Sequence, residues 1–240
     1  MIRLLKAECL KYKGTSIKKM IFLVPLAAAV MAFFLMGNEF SEPLALNIWY
    51  TFFLPFFIGY VASVFLAKER KHLYHGLFNV VEDKEKIWFG KNLYAVWVVM
   101  LSNLVMALIG VAFNLFLGGN VEAKEVLLGM GVLTLVTMWQ VPFFMLISRK
   151  LNFIVTTFIC VVLNLAGGIG FAAKLWWMPF ATPTRLMCPL LRIYPNAMLI
   201  EDGSPLLDKS VVVPGVGICL GMFIAVLLVT SVMFKREESN

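Results

Sequence analysis

Few residues of this chain combine the type and the spacing that catalysis or metal binding requires. His72 and His75 are the only histidines and lie three positions apart in a charged segment. Two histidines alone make a poor zinc site, because zinc sites in proteins use three or four protein ligands. The cysteines show neither zinc-ligand spacing nor a disulfide framework; they are Cys9, Cys160, Cys188 and Cys219. The sequence therefore predicts no metal site, and the cysteines are expected to be packing residues.

Nucleotide-binding and catalytic motifs are missing as well. The fragment nearest to a phosphate-binding loop is Gly90-Lys91-Asn92, which lacks the upstream glycine and the hydroxyl residue of that motif. The long apolar runs of the chain contain no Asp, Glu, Lys, Arg or His, although ion-coupled carriers place such groups inside the membrane. We therefore predict no catalytic residue. Uphill transport by this chain would need energy from another polypeptide.

The composition indicates that lipid is the solvent of most of the chain. Hydrophobic residues make up 61% and charged residues 15%, with a mean hydropathy of +0.87, whereas soluble domains carry about 25% charged residues. Runs of about 20 uncharged residues suffice for a helix to cross the hydrocarbon, and continuous runs favour helices over a β-barrel. We expect an all-α polytopic membrane protein with one domain, residues 1–240. Its six predicted transmembrane helices are Met20–Asn38, Leu44–Ala67, Asn92–Val121, Val126–Ser148, Leu151–Ala173 and Ser210–Phe234.

The Lys and Arg residues predict the orientation. Sixteen of the 21 flank one side of the six predicted spans, and five flank the other. Because cytoplasmic segments carry the excess of positive charge, both termini are expected in the cytoplasm. The net charge of +7 then serves topology, and it gives no reason to expect nucleic-acid binding.

The first 19 residues are predicted to form an amphipathic helix at the membrane interface. Ile2, Leu5, Cys9 and Tyr12 recur at helical spacing, with basic residues around the rest of the helix. Two roles stay open for this helix: a simple topology anchor, or a segment that also contacts a cytoplasmic partner.

The charged segment Lys68–Lys91 separates the second and third predicted spans. It holds six Lys or Arg and four Asp or Glu in 24 residues. Within it lies an apolar group, Leu77, Phe78, Val80 and Val81, with Trp88 and Phe89 close behind. One interpretation is that these residues return the chain to the bilayer surface. The other is a short helix that docks on a cytoplasmic partner, and the need for an external energy source favours it.

A second unusual segment, residues 174–209, is predicted outside the cell before the last span. It holds five of the ten prolines. Thr184–Leu191 and Tyr194–Ile200 are too short to span and are expected to be short external, re-entrant-like helices. The segment is either an ordered cap or a lateral gate for a lipid-bound ligand, and the candidate ligand contacts are Trp176, Trp177, Arg185 and Arg192.

Polar and small residues inside the spans are expected to join helices. The amide side chains of Asn103, Asn114 and Gln140 are predicted to bond across helices, in preference to forming a substrate site. Pro25 and Pro55 predict local kinks whose freed carbonyls neighbours must satisfy. In the last span, Gly217 and Gly221 form a small-xxx-small pattern that lets helices approach closely, which is a weak indication of a dimer face.

The chain resembles the membrane subunits of the type-two ABC exporter superfamily, most of all permeases of lantibiotic-immunity and bacitracin-resistance transporters. Residues 8–15, ECLKYKGT, are similar to the E-x-x-K-x-K-[RG]-[ST] start of those permeases. Glu69-Arg70, Gly76-Leu77 and the run from Lys84 to Lys91 resemble the segment between their second and third helices, although the family's Pro-Ser-Arg is missing. The proline-rich outer hairpin fits the family's paired external helices.

This resemblance implies two six-helix permeases, identical or related, each resting on an ATP-binding subunit in a bacterial cytoplasmic membrane. ATP and Mg²⁺ would be bound by the partner ATPase, present in two copies, and a peptide antibiotic would be expelled from the membrane. The alternative is a stand-alone membrane receptor that sequesters a peptide at the outer leaflet. The implied ATPase contacts are Glu69, Gly76, Leu77, Phe78, Asn79, Val80 and Val81, with the N-terminal helix bracing the ATPase through Glu8, Lys11 and Lys13.

Overall fold

The computed structural model describes residues 8–12, 14–71 and 84–236 of the 240. In these residues the regular structure is helical, and the only β-type pairing is an isolated bridge between Ile193 and Leu199. Residues 8–11 are helical. The longer helices are α1 Ile17–Ile48, α2 Leu54–Lys71, α3 Lys84–Leu117, α4 Ala123–Thr137, α5 Gln140–Ser148, α6 Phe153–Leu165, α7 Thr182–Leu191 and α8 Val212–Arg236; π-helical turns span Trp49–Phe53 and Ala166–Phe171, and 3-10 turns span Pro205–Leu207 and Lys209–Val211.

The described helices confirm an all-helical chain with several spans of membrane length. Five helical stretches are long and apolar enough to cross a bilayer, and α4 and α5, bent by 45° at their junction, make a sixth if they count as one span. The five are Ile17–Gly37, Phe40–Ala67, Glu85–Leu117, Phe153–Phe171 and Lys209–Phe234. Each of the six predicted runs overlaps one of these stretches or the bent pair.

The break between the first two spans lies inside α1, at Gly37. Gly37 has φ 71° and ψ −160°, outside helical geometry, and a residue without a Cβ adopts such an angle without steric cost. The chain then reverses, because Tyr12 before the first span donates from its hydroxyl to the carbonyl of Phe65 near the end of the second, at 3.0 Å. The two spans are thus antiparallel neighbours, as expected. Between these two predicted spans the sequence leaves Glu39–Pro43 as a short connection; this prediction is wrong, because the structure places these residues in the part of α1 that follows Gly37.

Three prolines of the spans lie near a compensating hydrogen bond or a change of helix geometry. Pro25 cannot bond the carbonyl of Ile21, and the Ser102 hydroxyl of α3 donates to that oxygen at 3.2 Å. Before Pro55 the chain forms the π-helical turn Trp49–Phe53, a widened geometry typical of such interruptions. At Pro142 the α4–α5 bend appears. A change of helix geometry therefore accompanies Pro55, as expected, and also Pro142, whereas the expected kink at Pro25 is not seen: the interruption of α1 lies at Gly37.

Interhelical amides organise the middle of the bundle. Asn103 of α3 accepts from the Trp49 indole at 2.9 Å and donates to the Thr134 hydroxyl of α4 at 2.9 Å. Gln140 and Asn164 exchange two hydrogen bonds between α5 and α6, at 2.9 and 3.0 Å. The prediction that amides bond across helices is confirmed for these residues. For Asn114 it is wrong, because its amide donates to the carbonyls of Gly119 and Val121 in the turn after its own helix.

The boundaries of the charged segment differ from the prediction. Residues 68–71 continue α2, and α3 begins at Lys84, eight residues before the predicted third span. In the first turns of α3, Ile87 and Trp88 are buried, and their burial outweighs the charges of Glu85 and Lys86 just before them. Residues 72–83, which hold the apolar group, lie outside the described residues.

Residues 174–209, which we call the outer segment after their predicted side, contain one of the two predicted short helices. All ten residues of α7, Thr182–Leu191, are buried, so this helix packs into the bundle. The predicted helix Tyr194–Ile200 is instead a tight reversal: Tyr194 donates to Met198, and Ala197 has φ 70°. Pro195 has no amide hydrogen and stands inside the seven-residue stretch, which favours a turn over a helix.

Candidate functional site

Aromatic residues gather at one end of the bundle, which we call the basic end. The Tyr12 ring stacks on Phe65 of α2 at 4.1 Å and lies 6.0 Å from Tyr94 of α3, centroid to centroid. Ser16 and Tyr60 share a hydrogen bond of 2.6 Å. Tyr12 is fully buried. Tyr12 and Ser16 are thus anchored against α2, and Tyr12 also against α3.

The predicted N-terminal contact residues stand beside this anchor. Glu8 is 8% exposed, and the Lys11 ammonium lies 3.9 Å from one of its carboxylate oxygens. Lys13 lies outside the described residues. The pair Glu8–Lys11 stabilises its own turn, since residues three apart face each other on a helix.

The last helix reaches the same end through Trp88. The Trp88 indole donates to the Thr230 hydroxyl at 3.0 Å, and its ring stacks on Phe234 at 4.9 Å. The guanidinium carbon of Arg149 lies 5.3 Å from the Phe234 ring centroid, close enough for a cation–π contact. Lys91 is fully buried nearby on α3. Residues near both chain ends, the end of α5 and the start of α3 therefore meet at the basic end.

Most of the predicted ATPase contacts fall outside this geometry. Glu69 lies in the last turn of α2. The other six, Gly76, Leu77, Phe78, Asn79, Val80 and Val81, lie outside the described residues. The two helices that flank these residues are adjacent: the ring centroids of Phe65 in α2 and Tyr94 in α3 lie 5.6 Å apart.

The opposite end, which we call the cap end, is closed by the outer segment. The Asn47 amide donates to the Tyr50 hydroxyl at 2.8 Å and to the carbonyls of Tyr194 and Pro195 at 3.0 and 3.3 Å. These bonds tie the second span to the outer reversal. Helix α7 is fully buried and packs closely on α4 at Gly129. A Cβ at Gly129 would meet the Leu191 side chain of α7 at 2.7 Å.

The two candidate arginines of this segment do different work. Arg185 is 5% exposed, and its guanidinium donates to the carbonyls of Leu206 and Pro205 at 2.9 and 3.3 Å. Arg192 is half exposed at its side chain and pairs with Asp202. Both hold residues 202–206 against the outer surface. Arg192 alone of the two offers an accessible cation.

The candidate tryptophans lie before α7. Trp177 is 56% exposed, while Trp176 is partly buried against the core and its carbonyl accepts from the Thr182 hydroxyl at 3.0 Å. Trp177 is therefore the more accessible aromatic contact. The structure shows the two tryptophans on the turn before α7 and Arg192 at its end, so the four candidates do not form one compact cluster.

The glycine pair of α8 faces open space. A Cβ added at Gly217 or Gly221 would meet nothing within 4 Å, whereas one at Gly215 would meet the Leu186 side chain at 2.8 Å. Gly215 is thus needed for packing inside the chain. Gly217 and Gly221 leave a shallow, exposed strip on the membrane-facing side of α8.

A buried carboxylate at the cap end was missed from the sequence. Glu42 is 1% exposed; it accepts from the backbone amide of Val121 at 3.1 Å, and its other oxygen has no hydrogen-bond partner among the described atoms. A Cβ at Gly119 would overlap the carboxylate. The sequence places Glu42 between two spans, where a carboxylate is expected to meet water. In the structure the break lies earlier, at Gly37, so Glu42 falls within a helix.

The described residues include no group of three or more potential metal ligands. All four cysteines are free thiols, with only Cys9 exposed. Burial raises the pKa of the Cys188 thiol to about 11, so this thiol stays protonated and unreactive at neutral pH.

Comparison with known proteins adds no assignment: no protein-family model, no curated protein and no solved structure matches this chain.

Proposed function

We propose that this chain is the membrane-spanning permease subunit of an ABC exporter that expels a peptide antibiotic from a bacterial cytoplasmic membrane. A separate ATPase, in two copies, binds ATP and Mg²⁺ and drives it, and a second permease, identical or related, completes the pathway. This chain supplies no catalytic group.

One observation carries the proposal. Helices α2 and α3 are adjacent at the basic end, and both continue into the charged segment. The connection that holds Leu77–Val81 therefore leaves and returns beside the buried Tyr12 and Trp88. An apolar group on such a short connection suits a contact with a protein below the membrane, since charged residues alone would suffice for a solvated loop.

The packing supports a route for force from that contact. A push on residues 72–83 would act on α2 and α3 together. The far end of α3 leads directly into the turn whose Val121 amide binds Glu42, and the second span binds the outer reversal through Asn47. Movement at the basic end would thus reach both elements that close the cap end.

The cap end is the proposed side of substrate release. Trp177 and Arg192 are accessible there, an aromatic and a cationic side chain of the kind that contacts amphipathic peptides. Arg185 and Trp176 would become accessible only if the outer segment opened, because their polar atoms hold that segment in place.

The test is co-purification from membranes. The tagged chain is solubilised in mild detergent with Leu77 and Phe78 intact or both changed to Asp. The matched control is Leu115→Asp with Phe116→Asp, the same residue types at the far end of α3, which are 70% and 84% exposed. All three forms are first quantified in the membrane, so that only properly inserted protein is compared.

We expect an ATPase to co-purify with the parent and the control, and to be lost from the Leu77/Phe78 variant. Retention of the ATPase by that variant would overturn the coupling role of the segment. If no ATPase accompanies any form, and protection against a peptide persists when ATP is depleted, the chain is a peptide-binding receptor instead.

A further inference from the structure

A groove of about 450 Å³ runs along the outside of the bundle at the basic end. Its walls are Cys9 of the N-terminal segment, the start of α1 and the middle of α3 from Tyr94 to Leu108. The polar side chains lining it are Cys9, Lys18 and Tyr94, and the rest of the lining is apolar, ending at Leu104 and Leu108.

The polar residues all belong to one end of the groove. Tyr94 lies beside Tyr12 at the basic end. Helices α1 and α3 both lead away from that end side by side, and the Ser102 hydroxyl of α3 donates to the Ile21 carbonyl of α1. From Tyr94 to Leu108 the helix rises about 21 Å. One leaflet contributes about 15 Å of hydrocarbon. A groove of this length is long enough to reach from the headgroup level to about the middle of a bilayer.

The charge at its mouth is positive. Lys18 is exposed and forms no ion pair with any described residue. The described acidic residue nearest in sequence, Glu8, is paired with Lys11. A lysine stem along an apolar wall can carry its ammonium to the interface. A ligand that fits has a negative head and one long apolar chain or two.

We propose that this groove binds one anionic phospholipid of the leaflet at the basic end. The Lys18 ammonium contacts the negatively charged head, and an acyl chain lies along α3 past Trp97 and Leu104. A lipid held there would join the N-terminal segment to α1 and α3, and it would couple the basic end to the composition of that leaflet.

The test uses Trp97, which lines the groove and is 50% exposed. The purified full chain is placed in nanodiscs that contain phosphatidylglycerol or phosphatidylcholine with brominated acyl chains, each over the same series of mole fractions. Bromine quenches a nearby indole, and subtraction of a Trp97→Phe variant isolates the signal of Trp97. Brominated phosphatidylglycerol is expected to quench Trp97 at a lower mole fraction than brominated phosphatidylcholine.

Two neighbouring lysines give the matched comparison. Lys18→Gln is expected to weaken the preference for phosphatidylglycerol about fivefold, the effect of one basic residue near an anionic surface. Lys19→Gln removes the adjacent exposed lysine, which does not line the groove, and should leave the preference unchanged.

Equal quenching by the two lipids in the parent would overturn the proposal, because Trp97 would then report only the surrounding bilayer. Equal loss in the Lys18 and Lys19 variants would also overturn it, since the preference would come from general surface attraction and not from the groove.

Discussion

At the scale of single residues, the bundle depends on polar groups that repair interruptions of the helices. The Ser102 hydroxyl bonds the carbonyl that Pro25 leaves open, and the Asn114 amide closes the turn after α3. Unsatisfied backbone groups are costly in hydrocarbon. The type of residue at such a position is therefore set by the open backbone group it must bond, as well as by the helix it belongs to.

Ser102→Ala is expected to lower the free energy of unfolding by about 0.6 kcal/mol, the average for interhelical hydrogen bonds in membranes. In a Pro25→Ala background the effect should shrink, because the alanine amide can bond the Ile21 carbonyl itself. Equilibrium unfolding in detergent micelles measures the four members of this cycle.

The control for this cycle is Thr137→Val. Its hydroxyl bonds the Leu133 carbonyl within α4 at 2.7 Å, away from Pro25. The cost of that change should be the same with and without Pro25. An equal cost of Ser102→Ala in both backgrounds would show that the hydroxyl does not compensate for the proline.

At the scale of elements, α7 and α8 differ in how much of their surface is buried in the bundle. Helix α7 is short and buried along its whole length, although it carries Arg185 and two prolines. Helix α8 is long, and one of its sides is exposed from Val213 to Met233. The exposed side includes Gly217 and Gly221, so the last helix has room for close approach by another helix.

Changing Gly217 and Gly221 together to Ile should leave the stability of the isolated chain nearly unchanged, because both positions open into free space. The same change should weaken association with a second permease that packs on this face. Cross-linking in native membranes measures the association, and thermal unfolding in detergent measures the stability.

Gly215→Ile is the contrasting variant. Its side chain would collide with Leu186, and overpacking of this kind costs about 1–3 kcal/mol. It should therefore unfold at a lower temperature. If association of permeases persists in the Gly217/Gly221 variant, the exposed strip of α8 faces lipid and not a partner.

At the scale of the whole molecule, the described spans place residues 12 and 234 at the same end of the bundle. The orientation of that end toward the cytoplasm remains a prediction from the Lys and Arg residues. Loop charges and packing are independent sources of information here, because the packing is the same whichever way the bundle is inserted.

Two single-cysteine proteins test the orientation. One keeps only Cys9, which is exposed at the basic end; the other carries Glu201→Cys, exposed at the cap end, as its sole cysteine. A maleimide that cannot cross membranes should label the second protein in intact cells and the first only after permeabilisation. The reverse pattern would place the basic end outside.

The sequence by itself determined the all-helical, membrane-spanning character of the chain and the approximate position of each span. It could do so because both follow from the solvent: a run without charges can be buried in hydrocarbon, and a helix satisfies its own backbone there. The partners of Asn103 and Gln140 were predictable only as a class, since the sequence does not say which helices are neighbours.

Only the tertiary structure decided what depends on contacts between distant residues. It placed Glu42 in a helix by turning the chain at Gly37, extended α3 back to Lys84 because Trp88 packs on Phe234, and buried α7 although its sequence is polar at Arg185. It also used Arg185 to hold the outer segment. Burial of this kind is set by neighbours far away in the chain, and local patterns of charge and hydrophobicity do not record them.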